Sequence, residues 1–181
     1  MKTKNSKSFK VALGGVVTAL SVALMLLTGI IPTLTYAMPA LCGFLLTVLC
    51  IEIGKKFSIA VYIAISIISM LFVADKEAAV MYVMFFGYYP IVKGIIEKKC
   101  NKTVEWILKM LLFNITIIVA SVIAVKVFMI PIDETGTFGK FAIPLLLILG
   151  NIVFIIYDIA MTRIITVYIY RWRKYIKRLF K

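Results

Sequence analysis

The sequence predicts an all-α integral membrane protein: a single bundle of six transmembrane helices with both termini in the cytoplasm. Three observations predict it. Hydrophobic residues make up 63% of the chain and charged residues 16%, against about 45–50% and about 25% in soluble domains. The apolar residues gather into six runs, each near the ~20 residues that cross a bilayer. Lys and Arg crowd onto alternate connections between those runs. With 181 residues, there is room for one domain, 1–181, and for no separate soluble module.

The first run, Val11–Ile31, follows a basic N-terminus and is closed by Pro32. A signal peptide begins the same way, but this run is longer than an h-region and no clear small-x-small cleavage site follows, so it reads as a retained helix. The second, Leu34–Ile53, carries Pro39 and Gly43 in its first half, which predicts a kink or irregular start there. The third, Phe57–Val73, is short, and Asp75, Lys76 and Glu77 end it. A re-entrant pair formed by the second and third runs would leave both termini on the same side. Ala78–Ile96 is the fourth run, with Pro90 and Gly94 near its far end. The fifth is Val104–Ile130, and a loop with Asp133 and Glu134 separates it from the sixth, Phe141–Ile169. The sixth is long enough that it must tilt or emerge from the bilayer. The tail after it, Arg171–Lys181, is basic with interleaved aromatics and reads as lying along the inner leaflet.

Orientation follows from counting cations. Lys2, Lys4, Lys7, Lys10, Lys55, Lys56, Lys93, Lys98, Lys99, Lys102 and the C-terminal tail fall on one side, and only Lys76, Lys126 and Lys140 on the other. The richer side is the cytoplasmic one. The net charge of +13 therefore reads as topology and attraction to anionic lipid, and nucleic acid is not an expected partner. The chain has no His, the commonest proton shuttle and metal ligand. Cys42, Cys50 and Cys100 form neither a disulfide framework nor a metal motif. No catalytic signature is present, so neither enzyme activity nor a metal or cofactor is expected.

Polar residues inside spans are functional candidates because hydrocarbon penalises them. Asn114 and Asn151 fall at similar mid-membrane depth. They serve either as a hydrogen bond between two helices or as the lining of a cavity. Asp158 shares a helix face with Asn151. It either pairs with Arg163 or another cation, or it contacts a substrate. Glu52 beside Lys55 and Lys56, and Glu105 before Lys109, read as interfacial charge pairs. Asp75, Lys76 and Glu77 form a charged outer loop. Tyr82, just after it, and Tyr36 in the other outer turn would wall an outward pocket able to stack on a flat ligand, unless the tyrosines belong to an aromatic belt. In the first helix Ala12, Gly15, Ala19 and Ala23 make a strip of small residues. Such a strip suits close helix approach, either within the monomer or to a separate membrane subunit.

Taken together, the basic start running into Lys10-Val-Ala-Leu-Gly-Gly-Val-Val-Thr-Ala-Leu-Ser-Val-Ala-Leu, the six short spans, Gly150-Asn151 and the later Tyr157-Asp158 and Arg163 resemble a substrate-binding (S) component of a bacterial energy-coupling factor (ECF) transporter. The resemblance implies a multi-pass protein of the bacterial cytoplasmic membrane that captures a small, vitamin-like organic ligand from outside. It implies partners as well: a membrane scaffold subunit and two cytoplasmic ATPases. The substrate-contact residues it implies are Tyr36, Asp75, Lys76, Glu77, Tyr82, Asn114, Asn151 and Asp158. Docking on the scaffold would use Ala12, Gly15, Ala19 and Ala23, although the family's Ala-xxx-Ala register is matched here only by Gly15-xxx-Ala19 and Ala19-xxx-Ala23. The absence of His separates the chain from the nickel and cobalt branch. Two readings from other classes remain: a structural cell-envelope membrane protein of the MreD type, and a membrane enzyme acting on lipids.

Overall fold

The computed structural model describes residues 7–128 and 142–172. Among these residues there is no strand. The helices are α1 (Lys7–Thr28), α2 (Ala37–Ile53), α3 (Lys55–Phe72), α4 (Lys76–Met81), α5 (Tyr89–Lys99), α6 (Lys102–Phe128) and α7 (Ala142–Val167). Five segments are long and apolar enough to cross a membrane: Lys7–Thr28, Lys55–Phe72, Lys76–Lys99, Lys102–Ile123 and Leu147–Arg171. Helix α2, at 17 residues, is apolar but shorter. The large apolar side chains left exposed, among them Val16, Ile67, Leu71, Phe72, Ile107 and Ile156, lie along these same helices. A water-soluble protein rarely exposes apolar surface on this scale, and a membrane-embedded one must. The Asp133–Glu134 loop, Lys140, and the basic tail beyond Trp172 lie outside the described residues.

Several boundaries differ from the sequence expectation for identifiable reasons. Helix α1 ends at Thr28 rather than Ile31: the Thr28 hydroxyl donates to the Met25 carbonyl at 2.8 Å, and tight turns through Gly29–Ile31 lead into a 3-10 turn at Pro32–Leu34. The second span has the irregular entry anticipated, its first residues lying in the 3-10 turn and the turn at 35–36 before α2 begins at Ala37, but α2 itself is not broken at Pro39. Pro39 occupies the first turn of α2, where the amide it lacks would have had no helical partner anyway. Gly43 serves close approach instead: a β-carbon there would stand 2.7 Å from the Phe86 carbonyl oxygen and 2.8 Å from the Tyr157 hydroxyl. Helix α2 runs unbroken over Ala37–Ile53 and α3 over Lys55–Phe72. They meet at Gly54, whose φ of 102° is a conformation that glycine adopts without steric penalty.

A further irregularity falls in the fourth span. Asp75 caps α4, its carboxylate accepting from the Ala78 amide at 3.0 Å, which satisfies one of the free first-turn donors. After one and a half turns the helix widens into a π turn, Tyr82–Phe86, with the Gly87 amide donating to the Tyr82 carbonyl at 2.8 Å. Widening disturbs the regular backbone ladder, and the Tyr62 hydroxyl on α3 donates to the Val83 carbonyl at 2.7 Å. A β-carbon at Gly87 would stand 2.5 Å from the Tyr62 ring, so glycine is what lets Tyr62 reach across. Helix α5 then restarts with Pro90 in its first turn. Pro90 begins a helix here and does not bend one.

The interior divides in two. Val17, Met25, Cys42, Leu46, Leu49, Val61 and Ile65 join α1, α2 and α3. A second cluster, largely aromatic, joins the π turn, α5, α6 and α7 through Phe85, Tyr89, Phe113, Phe154, Tyr157 and Met161. Phe113 and Phe154 stack there at 4.7 Å, and Phe85 and Tyr89 at 4.8 Å.

Candidate functional site

Three groups of polar side chains stand out against this apolar background. The largest sits where α5, α6 and α7 meet, about two turns in from the α5–α6 connection. Lys93 and Lys109 are each 1% exposed and Asp158 is 3% exposed. The Lys93 ammonium donates to Asp158 Oδ1 at 2.5 Å and pairs with Glu97 Oε1 at 2.5 Å. Lys109 reaches Asp158 Oδ2 at 3.0 Å, Glu97 Oε1 at 2.8 Å and Glu105 Oε1 at 2.6 Å. The Tyr89 hydroxyl adds a third donor to Asp158, at 2.5 Å from Oδ1. Helix periodicity brings these residues together. Lys93 and Glu97 are four apart on α5, and Glu105 and Lys109 are four apart on α6, so each pair shares a face. Three carboxylates surround two ammonium groups, and every ammonium has at least two carboxylate partners. Charges this deep persist only when paired and hydrogen-bonded.

Asp158 was expected to pair with Arg163 or another cation. Its partners are Lys93 and Lys109, while Arg163 is exposed. Five residues separate the two on α7, which turns Arg163 well away from the α5–α6 side. Glu105 and Lys109 do form their expected pair, but inside this buried cluster rather than at the surface. Glu52 accepts from the Tyr168 hydroxyl at 3.2 Å, and Lys55 donates to the Gly94 carbonyl at 3.3 Å.

The second group is the amide pair between α6 and α7. Asn114 Nδ2 donates to Asn151 Oδ1 and Asn151 Nδ2 to Asn114 Oδ1, both at 3.0 Å. Each amide also donates to the carbonyl one turn back, Met110 at 2.9 Å and Leu147 at 2.7 Å. All four amide protons are thereby used. Asn114 borders an open, apolar groove of about 460 Å³ along α6, with Trp106, Ile107, Met110 and Leu111.

The third group is at the opposite end of the bundle, where the α1–α2 connection meets the start of α4. Thr35 donates to Asp75 Oδ2 at 2.7 Å, and the Tyr36 hydroxyl donates to Glu77. The Lys76 ammonium donates to the Met70 carbonyl at 2.9 Å. Tyr36 remains 53% exposed. Its phenol is held protonated above the usual range, first by partial burial and then by the Glu77 carboxylate.

Tyr36, Asp75, Lys76 and Glu77 thus come together, and Asn114 meets Asn151. Tyr82 joins neither group. It is fully buried against Tyr62, with ring centroids 6.1 Å apart. The turn of α4 that follows Asp75 points it inward, so it does not wall an outward pocket. The small strip on α1 faces outward: Ala12, Gly15, Ala19 and Ala23 are all exposed, while Gly14, Val17, Ser21, Met25 and Thr28 turn to the core. Intramonomer contact is therefore made by the other face of α1. Sequence reasoning missed Lys93, Glu97 and Tyr89 as members of one buried cluster. The signal that could have found them was the Lys–Glu spacing of four on each side of the α5–α6 turn, at depths where Asp158 also lies.

Among the described residues, no group of three or more His, Cys, Asp or Glu is placed to hold a metal ion. Compared with protein-family models, curated proteins and solved structures, the chain matches none.

Proposed function

We propose that the chain is the membrane-embedded substrate-binding subunit of an ECF-type uptake transporter, which captures a small, vitamin-like organic molecule and docks on a scaffold subunit carrying two ATPases. In this reading all six apolar helical segments span the cytoplasmic membrane of a bacterium. Both termini and the turns at Gly54 and Cys100 lie inside. The excess of lysine at that end supports the orientation.

One observation carries the proposal. The strip Ala12, Gly15, Ala19, Ala23 is exposed along one side of α1, and a β-carbon built on Gly15 meets nothing within 4 Å. A strip of small side chains, flanked by Val16 and without a partner among the described residues, suits another transmembrane helix, because close backbone approach is what drives helix association in lipid. At the outer end Tyr36, Asp75, Lys76 and Glu77 are the ligand contacts of this reading, grouped on two connections and partly exposed. Asn114, Asn151 and Asp158 act from within, holding the helices that carry the site, since their hydrogen bonds are made to one another and to Lys93 and Lys109.

Co-expression with an ECF scaffold and its ATPases tests the proposal. Gly15→Trp and Ala19→Trp are expected to abolish co-purification while leaving the melting temperature of the isolated protein unchanged. Ile63→Trp, on the exposed face of α3, should not affect it. Equal recovery of all four proteins would refute docking through α1. A vitamin panel that never raises the melting temperature of the wild-type protein would refute ligand capture.

A further inference from the structure

Where α1, α2 and α3 meet at the lysine-rich end, the surface holds an open groove of about 490 Å³. Its rim carries Lys10 from α1 and Lys55 and Lys56 from the start of α3, and its floor is Ile53, Phe57 and Ala60. None of the three lysines takes part in an ion pair among the described residues. Lys55 donates one proton to the Gly94 carbonyl at 3.3 Å, which leaves it two. The nearby carboxylate, Glu52, accepts from Tyr168, in the π turn Tyr168–Trp172 that follows α7. Three ammonium groups against one nearby carboxylate leave the groove positive at one edge. Helix α3 has no side-chain cap at Gly54, so its first-turn amides add potential of the same sign.

The zoning of the groove identifies the occupant. Three ammonium groups on one rim repel each other unless an anion lies among them. A dissolved anion would satisfy them, but it would leave Phe57 and Ala60 uncovered. These two residues are three apart on one face of a helix long and apolar enough to cross a membrane. They lie deeper along α3 than the lysines. Charge at the interface with hydrocarbon just beneath it is the profile of a phospholipid. The short Ala60 side chain gives an acyl chain room to lie against the helix.

We propose that this groove binds one anionic glycerophospholipid, with its phosphate among Lys10, Lys55 and Lys56 and an acyl chain along Phe57 and Ala60. The site is separate from the α1 strip and does not depend on the transport reading. It requires only that the helices lie in a membrane.

Native mass spectrometry of the delipidated full chain, titrated with phosphatidylglycerol or phosphatidylcholine, tests it. The wild-type protein is expected to take up one phosphatidylglycerol about 10-fold more tightly than phosphatidylcholine. The triple substitution Lys10→Gln, Lys55→Gln, Lys56→Gln should remove that preference. Lys98→Gln, Lys99→Gln, Lys102→Gln removes the same charge at the same end of the bundle and should keep it. Ala60→Trp should weaken the adduct with every charge intact. These positions are exposed or half-exposed, and retained helical circular dichroism checks folding. Equal loss in both triple variants would overturn the proposal in favour of diffuse attraction. Displacement by millimolar inorganic phosphate, with Ala60→Trp without effect, would overturn it in favour of a free anion. Absence of any preference for the anionic lipid would overturn it outright.

Discussion

The α1–α2–α3 half and the α5–α6–α7 half of the bundle hold together by different chemistry. In the first, small residues let backbones approach. A β-carbon on Gly14 would meet the Phe57 ring at 2.6 Å, and Cys42 donates its thiol proton to the Ser21 carbonyl at 3.4 Å. In the second, charge and amide pairs span the helices: Lys93, Lys109 and Asp158 at one depth, Asn114 and Asn151 at another. Lipid tails are as apolar as leucine, so apolar contact alone gives helices little reason to associate. Close fit and hydrogen bonding are the two remaining means, and this protein divides them between its halves. Each half should therefore fail differently when altered.

The largest effect is expected at Asp158. Asp158→Leu removes at once the acceptor shared by Lys93, Lys109 and the Tyr89 hydroxyl, and each buried donor left without its acceptor costs about 1–3 kcal/mol. Thermal unfolding in detergent should show a large fall for Asp158→Leu and a smaller one for Asp158→Asn, whose amide oxygen still accepts. If both variants unfold like the wild type, the cluster is not what joins α5, α6 and α7.

Next comes the π turn, where the two halves meet. Gly87→Ala drives a β-carbon into the Tyr62 ring, and overpacking of this kind costs about 1–3 kcal/mol. In a Tyr62→Ala background the clash with the ring is gone and only the 2.9 Å approach to the Tyr82 carbonyl oxygen remains, so the penalty of Gly87→Ala should shrink. An unchanged penalty in the double variant would locate the strain in the backbone rather than at Tyr62.

A smaller effect is expected between Asn114 and Asn151. Double-mutant cycles on hydrogen bonds between transmembrane helices average about 0.6 kcal/mol and reach about 1.7. Reciprocal bonds of 3.0 Å, with every amide proton used, place this pair toward the upper part of that range. The cycle with Asn114→Ala and Asn151→Ala measures it. A coupling near zero would mean that the amides are satisfied by their own helices through Met110 and Leu147.

How much of this was legible in the sequence follows the same division. Apolar runs and lysine spacing fixed the helical segments to within a few residues, because burial in lipid demands length and composition above all. The Asn114–Asn151 pair was legible from depth alone. The Lys93–Asp158–Lys109 cluster was not. Lys93 and Lys109 stand near helix ends, where lysine ordinarily extends to water, and only the approach of α7 shows that they turn inward. Tyr82 was misplaced for a related reason: distance along the chain put it near Asp75, but the rotation of α4 decides which side it faces. The irregular entry expected in the second span lies just ahead of Pro39, at 32–36, while the π turn at Tyr82–Phe86 was not anticipated. Proline in a first turn costs nothing, while a π turn leaves no single-residue signature.

The smallest effect of all is expected at Gly15, and its neighbour Gly14 supplies the contrast. Gly14 faces the core, where a β-carbon would stand 2.6 Å from the Phe57 ring and 3.2 Å from Val61 Cγ2, whereas Gly15 meets nothing within 4 Å. Replacing each in turn by leucine therefore compares one side chain in two surroundings one residue apart. At position 14 it must force α1 and α3 apart, at a cost of about 1–3 kcal/mol. At position 15 it lies on the outer surface and should change stability by no more than about 0.5 kcal/mol. Unfolding of the isolated protein separates the two. Leucine is the better helix former at both positions, so equal losses would mean that the closeness of α3 does not set the demand for glycine at position 14, and the first half of the bundle would no longer be a region held by close fit.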